Sequence, residues 1–130
     1  NYDSDQFIKT PDEWKPIPGS LEAIARLTHS GFRVVVCSNQ SGVGRGLFSA
    51  ATLTAIHDRM NRTIEAAGGR LDGIYFCPHR PEDACECRKP LPGLLRPWLD
   101  GFSPQELLSL AAVAIVVVTF ARGACTVAAN

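Results

Sequence analysis

The chain has 130 residues, enough for one domain with a buried core. Its 45% hydrophobic and 20% charged residues are ordinary for a globular protein, and 13 basic residues balance 13 acidic ones, so no net charge favours nucleic acid or an anionic membrane as a partner. Five cysteines are an odd number and three of them cluster with a histidine, so we expect reduced thiols and a cytoplasmic protein. The first residues are polar rather than a signal peptide, and we expect a monomer.

The first elements alternate between helix and strand. Residues 1–18 contain three prolines and are predicted to form a loop. "SLEAIARLTHSG" predicts a helix with Ser20 as its N-cap and Gly31 just past its end. "RVVVC" is a continuous β-branched run, which is typical of a parallel strand buried on both faces.

The second half of the chain continues the alternation. A helix is predicted from about Ser49, because Leu53, Ile56, Met60, Ile64 and Ala67 recur at helical spacing. "GIYFC" predicts a second strand, a short helix is expected near Pro92, and "AVAIVVV" predicts another buried strand. A membrane segment over residues 107–121 is the alternative for that last run, but its fifteen residues fall short of the roughly 20 that a membrane helix needs. The pattern predicts an α/β domain with a parallel sheet.

Three cysteines and a histidine lie within eleven residues. Cys77 and His79 are separated by one residue, as are Cys85 and Cys87, and a short loop joins the two pairs. Three thiolates and one imidazole form a known structural zinc set, in which four protein ligands leave no coordination position for chemistry. The alternative is that these are incidental buried cysteines. Cys37, inside the predicted strand, is interpreted as a core residue.

Two further groups of polar residues surround this cluster. Arg88 and Lys89 follow the last cysteine directly, and an arginine fork and a lysine ammonium both suit phosphate, although a solvated surface pair is the alternative. "SNQSG" follows the "RVVVC" strand, at the carboxyl end where parallel sheets bind ligands. On its own this segment is equally typical of a polar turn.

Three segments in this order resemble one family. "VVVCSNQSGVGRG", "LDGIYFCPH" and "CECRKPLPG" are similar to the D-glycero-D-manno-heptose 1,7-bisphosphate 7-phosphatases of the haloacid dehalogenase superfamily. The resemblance covers about residues 1–96, while 97–130 diverge. It implies a single domain over 1–130: a three-layer, Rossmann-like haloacid-dehalogenase core, here incomplete, with a zinc-binding loop and without a large cap domain.

The resemblance also implies roles for individual residues. Ser38 would hold the transferring phosphoryl group and Lys89 would neutralise the charge of phosphate and nucleophile. The residues implied in substrate binding are Asp3, Asn39, Gln40, Ser41 and Arg88, and those implied as structural zinc ligands are Cys77, His79, Cys85 and Cys87.

The activity implied by the family is magnesium-dependent removal of the 7-phosphate of a heptose bisphosphate, a step toward the heptoses of lipopolysaccharide. An aspartate of a D-x-D pair attacks the phosphate, and water then releases it. That pair and its strand are expected before Asn1, and an exposed strand edge where that first strand should lie predicts poor solubility. "DSD" at 3–5 has no apolar strand before it and no glycine turn after it, so Asp3 is not expected to be the nucleophile.

The family's Gly-Asp motif for magnesium is also not found after residue 97, where Asp100 and Glu106 are the acidic residues. We therefore expect this chain to be inactive by itself. Two alternatives remain at this point: a histidinol-phosphate phosphatase, which shares the zinc loop and "CRKP", and a non-catalytic, zinc-binding remnant.

Overall fold

A computed structural model describes residues 1–2, 4–111, 116–121 and 124–128, with side chains as far as residue 107. The helices are α1 (Ser20–His29), α2 (Ser41–Gly44), α3 (Ala50–Ala66), α4 (Arg96–Leu99) and α5 (Pro104–Ala111). The strands are β1 (Val34–Asn39), β2 (Gly73–Cys77), β3 (Val116–Ala121) and β4 (Ala124–Ala128). Short 3₁₀ turns cover Pro11–Glu13, Pro81–Asp83 and Pro92–Leu94.

The strands form one sheet in the order β2-β1-β3-β4. β1 pairs in parallel with both β2 and β3, which confirms the predicted parallel sheet for these strands. β4 instead pairs antiparallel with β3. Only two residues separate β3 from β4 in the sequence, and a parallel crossover needs about a dozen or more, so antiparallel pairing is the arrangement that so short a connection allows.

β1 has a hydrogen-bonded neighbour on each side in the described sheet. Val34 to Ser38 pair on one side with Val116 to Phe120 of β3, while β2 occupies the other side. β1 is therefore an interior strand, and its backbone groups have ladder partners on both edges.

Both faces of β1 are covered. Val36 packs with Ile56 and Met60 of α3 on one face, and Val35 packs with Trp98 of α4 on the other. Val34, Val35 and Val36 are 0, 0 and 3% exposed. This two-sided burial is the physical reason for a β-branched run without polar alternation, and it confirms the three-layer α/β architecture.

Of the two helix starts predicted from the sequence, one agrees with the structure and the other differs by one residue at its N-cap. α3 begins at Ala50, as predicted to within one residue, and Ser49 is its N-cap, its side chain accepting a hydrogen bond from the backbone N–H of Thr52. The prediction for Ser20 was wrong: Gly19 is the N-cap of α1, with φ +81°, and the Ser20 hydroxyl donates to the carbonyl of Ile17 at 2.7 Å. A left-handed backbone suits glycine, which explains why the cap falls one residue earlier.

The region after residue 90 is broken into short helices. Pro92 begins a 3₁₀ turn, α4 has four residues, and α5 is a further helix that the sequence patterns did not predict. Of the predicted strand at 112–118, residues 112–115 lie outside the described residues and β3 begins at Val116. Within the described part of the chain, none of the helices has the length and apolar character that crossing a membrane requires.

Candidate metal centre and strand-end cleft

The four predicted metal ligands lie close together. Cys77, the buried last residue of β2, has its sulfur 3.5 Å from that of Cys85 and 3.2 Å from that of Cys87. His79 places Nδ1 3.6 Å from the Cys77 sulfur and 3.3 Å from the Cys87 sulfur. All four ligand atoms lie within 4.8 Å of one another. The three cysteines are free thiols.

This donor set fits one tetrahedral ion. Zinc–sulfur bonds of about 2.3 Å separate tetrahedral sulfurs by about 3.8 Å, so an ion would enter the cluster with shifts of a few tenths of an ångström. Three sulfurs and one imidazole nitrogen favour zinc or another thiophilic metal over the oxygen-seeking magnesium and calcium. The four ligands would close the coordination shell, which is typical of a structural site.

The thiols titrate differently because their surroundings differ. Burial, reinforced by the Cys87 side chain, raises the pKa of Cys77 to about 12. Burial also acts to raise the pKa of Cys85, but hydrogen bonds from the Cys77 and Cys87 side chains and from two backbone N–H groups outweigh it and lower that pKa to about 7. Metal binding requires thiolates, so it must release the protons that such a cluster otherwise retains.

Backbone hydrogen bonds join the ligand loop to the segment after β1. The N–H of Gln40 donates to the Cys77 carbonyl at 2.7 Å, and the N–H of Gly44 donates to the Pro78 carbonyl at 3.1 Å. The Arg80 side chain donates back to the Gly44 carbonyl at 3.1 Å. The loop that carries the candidate metal ligands and the segment 40–46, which follows β1, therefore hold each other in place.

A methyl group at Gly44 tests this connection. A Cβ there would lie 2.5 Å from the Pro78 carbonyl oxygen, so we expect Gly44→Ala to push the two loops apart and lower the free energy of unfolding by about 1–3 kcal/mol, measured in urea. Gly101→Ala is the control, because its Cβ would meet the Trp98 carbonyl at an ordinary 3.4 Å. Equal stability of both variants would contradict the tight packing of the two loops.

Lys89 lies against the end of β1. Its backbone N–H donates to Asn39 Oδ1 at 3.0 Å, and Asn39 Nδ2 donates to its carbonyl at 3.3 Å. Its ammonium donates to the Cys37 carbonyl at 3.0 Å. Burial lowers the pKa of Lys89 and raises that of the Cys37 thiol. The ammonium is thus partly desolvated, which strengthens its attraction for an anion.

Ser38 lies between these two contacts. It is 5% exposed, and its hydroxyl oxygen accepts a hydrogen bond from Gln40 Nε2 at 3.2 Å. The same hydroxyl also carries one O–H donor. Ser38 and Lys89 thus offer a hydroxyl donor and an ammonium at the same end of β1.

These residues line a cleft of about 1540 Å³. The described residues that line it carry four cations and one acid, although the whole sequence has equal numbers of each. The acid is Asp5, and the cations are Arg45, Arg80, Arg88 and Lys89. Arg88 also donates to the His79 carbonyl at 3.0 Å, which ties its guanidinium to the ligand loop. The cleft is therefore suited to an anionic ligand.

The structure brings together most of the residues singled out from the sequence. The segment 38–41 and the Arg88–Lys89 pair line one cleft, and the four candidate metal ligands form one cluster beside it. Asp3 lies outside the described residues. The sequence did not predict Arg45 and Arg80 as cleft residues, although Arg45 follows the "SNQSG" segment and Arg80 follows His79. A single arginine in a loop has no spacing that marks it as a site residue.

An oxygen-ligand site for magnesium is not found in the described part of the chain. The search for three or more clustered histidine, cysteine or acidic side chains there returns the Cys77 cluster, which contains no carboxylate. In the described lining of the cleft, Asp5 is the only acidic side chain. The described residues therefore do not fit the magnesium that the family resemblance implies.

Comparison with known sequences identifies related proteins. A family model described as polynucleotide kinase 3 phosphatase matches residues 2–114. A D-glycero-beta-D-manno-heptose-1,7-bisphosphate 7-phosphatase from Bordetella bronchiseptica is 59% identical over 96 residues, 74% of this chain and 54% of the relative. The Neisseria meningitidis protein of that name is 47% identical over 105 residues, 81% of this chain and 56% of the relative.

A solved structure of a heptose bisphosphate phosphatase is also similar to this chain. The crystal structure of D,D-heptose 1,7-bisphosphate phosphatase from B. bronchiseptica, complexed with magnesium and phosphate, matches with a TM-score of 0.73 and 56% identity. The match covers 78% of this chain and 56% of that one. The chain therefore spans about half the length of the relatives that it matches.

Proposed function

This chain belongs to the D-glycero-D-manno-heptose 1,7-bisphosphate 7-phosphatase family, and the polynucleotide kinase 3 phosphatase model matches it. We therefore propose that its strand-end cleft binds the phosphate of a phosphorylated heptose. In this proposal the Ser38 hydroxyl donates a hydrogen bond to a phosphate oxygen, and Lys89 supplies a positive charge. Arg88 binds the sugar phosphate from the side of the ligand loop, and Gln40 and Ser41 line the pocket.

The observation that carries this proposal is the position of the Lys89 ammonium. It lies 3.0 Å from the carbonyl of Cys37, the residue before Ser38, although Lys89 and Ser38 are 51 positions apart in the sequence. Charge-assisted hydrogen bonds from an ammonium or guanidinium are the strongest contacts that a protein offers to phosphate. A partly buried ammonium and a buried hydroxyl that line the same cleft, together with three arginines, favour that ligand.

We also propose zinc as the ion held by the ligand cluster. The closed set of three thiolates and one imidazole supports a structural role, in which the ion stabilises the loop that precedes Arg88 and Lys89. Its contribution to function would be indirect. The hydrogen bonds from Gln40 and Gly44 to this loop would transmit its rigidity to the segment after β1.

Hydrolysis is proposed for the family rather than for the 130 residues alone. Magnesium accompanies phosphate in the related crystal structure, and such an ion neutralises charge on phosphoryl oxygens. The described residues provide no cluster of carboxylates that could bind this ion, and Asp5 is the one acidic side chain in the described lining of the cleft. We therefore assign phosphate binding, and no catalytic step, to this chain by itself.

Incubation with D-glycero-β-D-manno-heptose 1,7-bisphosphate and Mg²⁺ tests this assignment. We expect orthophosphate to bind but no phosphate to be released above background by the 130-residue protein. Ser38→Ala should weaken orthophosphate binding about tenfold because a charge-assisted hydrogen bond is lost, whereas Ser30→Ala, at the exposed end of α1, should not.

Turnover by the wild-type protein would contradict the assignment, and Asp5→Asn would then show whether that carboxylate takes part. Histidinol phosphate is the comparison substrate. Tighter binding of histidinol phosphate than of the heptose bisphosphate would favour the sibling family.

A further inference from the structure

The strongest unassigned feature of the cleft is the contact between Asn39 and Lys89. We propose that Asn39 is a positioning residue, which sets the place of the Lys89 ammonium beside Ser38 rather than contacting the ligand itself. This inference rests on the proposed function only in taking phosphate as the anion that Lys89 meets.

The Asn39 amide pairs with the backbone of a single residue. Its oxygen accepts the Lys89 N–H at 3.0 Å, and its nitrogen donates to the Lys89 carbonyl at 3.3 Å. A primary amide carries an acceptor and a donor side by side, and here they meet the N–H and the carbonyl of one residue, so the two groups form a closed ring of two hydrogen bonds. An aspartate at this position would lack the N–H donor, and a serine would lack two separate polar atoms to make both hydrogen bonds at once.

Lys89 lies along three consecutive residues of β1. Its backbone is held at Asn39, and its side chain runs back until the ammonium reaches the carbonyl of Cys37, so Ser38 lies between the two points of attachment. Because the first attachment fixes where the side chain starts, it also decides where a half-buried ammonium can end. Asn39 therefore controls the geometry of the Lys89–Ser38 pair.

The second attachment does not make the first redundant. Lys89 has four rotatable side-chain bonds, and holding them in one conformation costs about 2 kcal/mol of rotamer entropy. The hydrogen bond from the ammonium to the Cys37 carbonyl offsets about half of that cost. With the backbone released, we expect the side chain to sample other conformations and the ammonium to leave the Cys37 carbonyl.

Lysine-selective NMR tests the inference without any ligand. The sequence has three lysines, Lys9, Lys15 and Lys89, so their ε-methylene signals can be assigned by substitution. In the wild type we expect resolved, immobilised ε-methylene protons for Lys89 alone, and Asn39→Ala should make them resemble the signals of exposed Lys15. Asn61→Ala is the matched control, because that amide bonds locally to Glu65 on α3 at 2.8 Å and should change nothing.

A double-mutant cycle separates positioning from direct contact. Asn39→Ala should weaken orthophosphate binding about fivefold when Lys89 is present and by less than about twofold when Lys89 is methionine. Affinity is followed by the amide shifts of residues 38–46, which report weak dissociation constants. Asn39→Ser, which keeps a smaller polar group, replaces the alanine variant if that variant is poorly folded.

Two results would overturn the inference. Unchanged Lys89 signals in a folded Asn39 variant would show that the contact does not position the side chain. A fivefold loss that persists in the Lys89→Met background would show that Asn39 meets the anion directly. If the wild type does not bind orthophosphate, the proposed function fails, and the ligand-free lysine signals still decide the role of Asn39.

Discussion

Replacing Cys85 with serine is expected to remove most of the bound metal and to lower the free energy of unfolding by at least about 3 kcal/mol, because the binding energy of a structural ion is part of the folding free energy. Elemental analysis of the wild-type protein should find about one zinc per chain. The same variant should bind orthophosphate more weakly, since the loop carrying Arg88 and Lys89 loses its fixed shape.

Cys37→Ala is the matched control for this prediction. Cys37 is also a buried thiol and packs near the cluster, but it does not belong to the set of four ligand atoms. The Cys37→Ala variant should therefore lose some packing energy, while its metal content stays at about one ion per chain. Wild-type metal content in Cys85→Ser would exclude the proposed site, and a metal other than zinc in the wild-type protein would correct the identity of the ion.

Replacing Lys89 with methionine is expected to weaken orthophosphate binding about thirtyfold, because the anion loses a partly desolvated charge while the stem of the side chain is preserved. Calorimetry or NMR titration at fixed ionic strength measures the change. The loss of affinity in Lys89→Met should change little with salt concentration, because salt screens partly buried charges less than it screens surface charges.

Lys15→Met is the control for the removal of one positive charge. Lys15 is exposed and belongs to the N-terminal segment rather than to the cleft lining, so its loss should change affinity by less than about twofold. Equal effects of the two substitutions would mean that only the overall charge matters. Unchanged binding in Lys89→Met would place the phosphate elsewhere in the cleft.

The sequence alone was sufficient for the elements whose signals are local. Three consecutive valines predicted β1 because a strand covered on both faces has no position for a polar side chain. The helical spacing from Leu53 to Ala67 predicted α3. Leu53, Ile56, Met60 and Ile64 are buried, whereas Ala67 is the exposed C-cap residue. The ligand cluster also has a local signal, since its four residues lie within eleven positions and one loop can bring them together.

Other features were decided by tertiary structure. The pairing of β3 with β1 and the reversal into β4 depend on which edge is free when the strands meet, and β-branched composition does not encode direction. The cap at Gly19 rather than Ser20 depends on how the chain enters α1 from the preceding proline segment.

The contacts between Asn39 and Lys89 and between the Lys89 ammonium and Cys37 belong to this second group. They join residues about fifty positions apart, and neither asparagine nor lysine carries a periodic pattern that marks its partner. Periodicity and short spacing act over one element or one loop, so they can be seen in the sequence. Hydrogen bonds between distant side chains arise only once strand register and loop packing have fixed both ends, and for this reason the arrangement of the anion site became visible only in the folded protein.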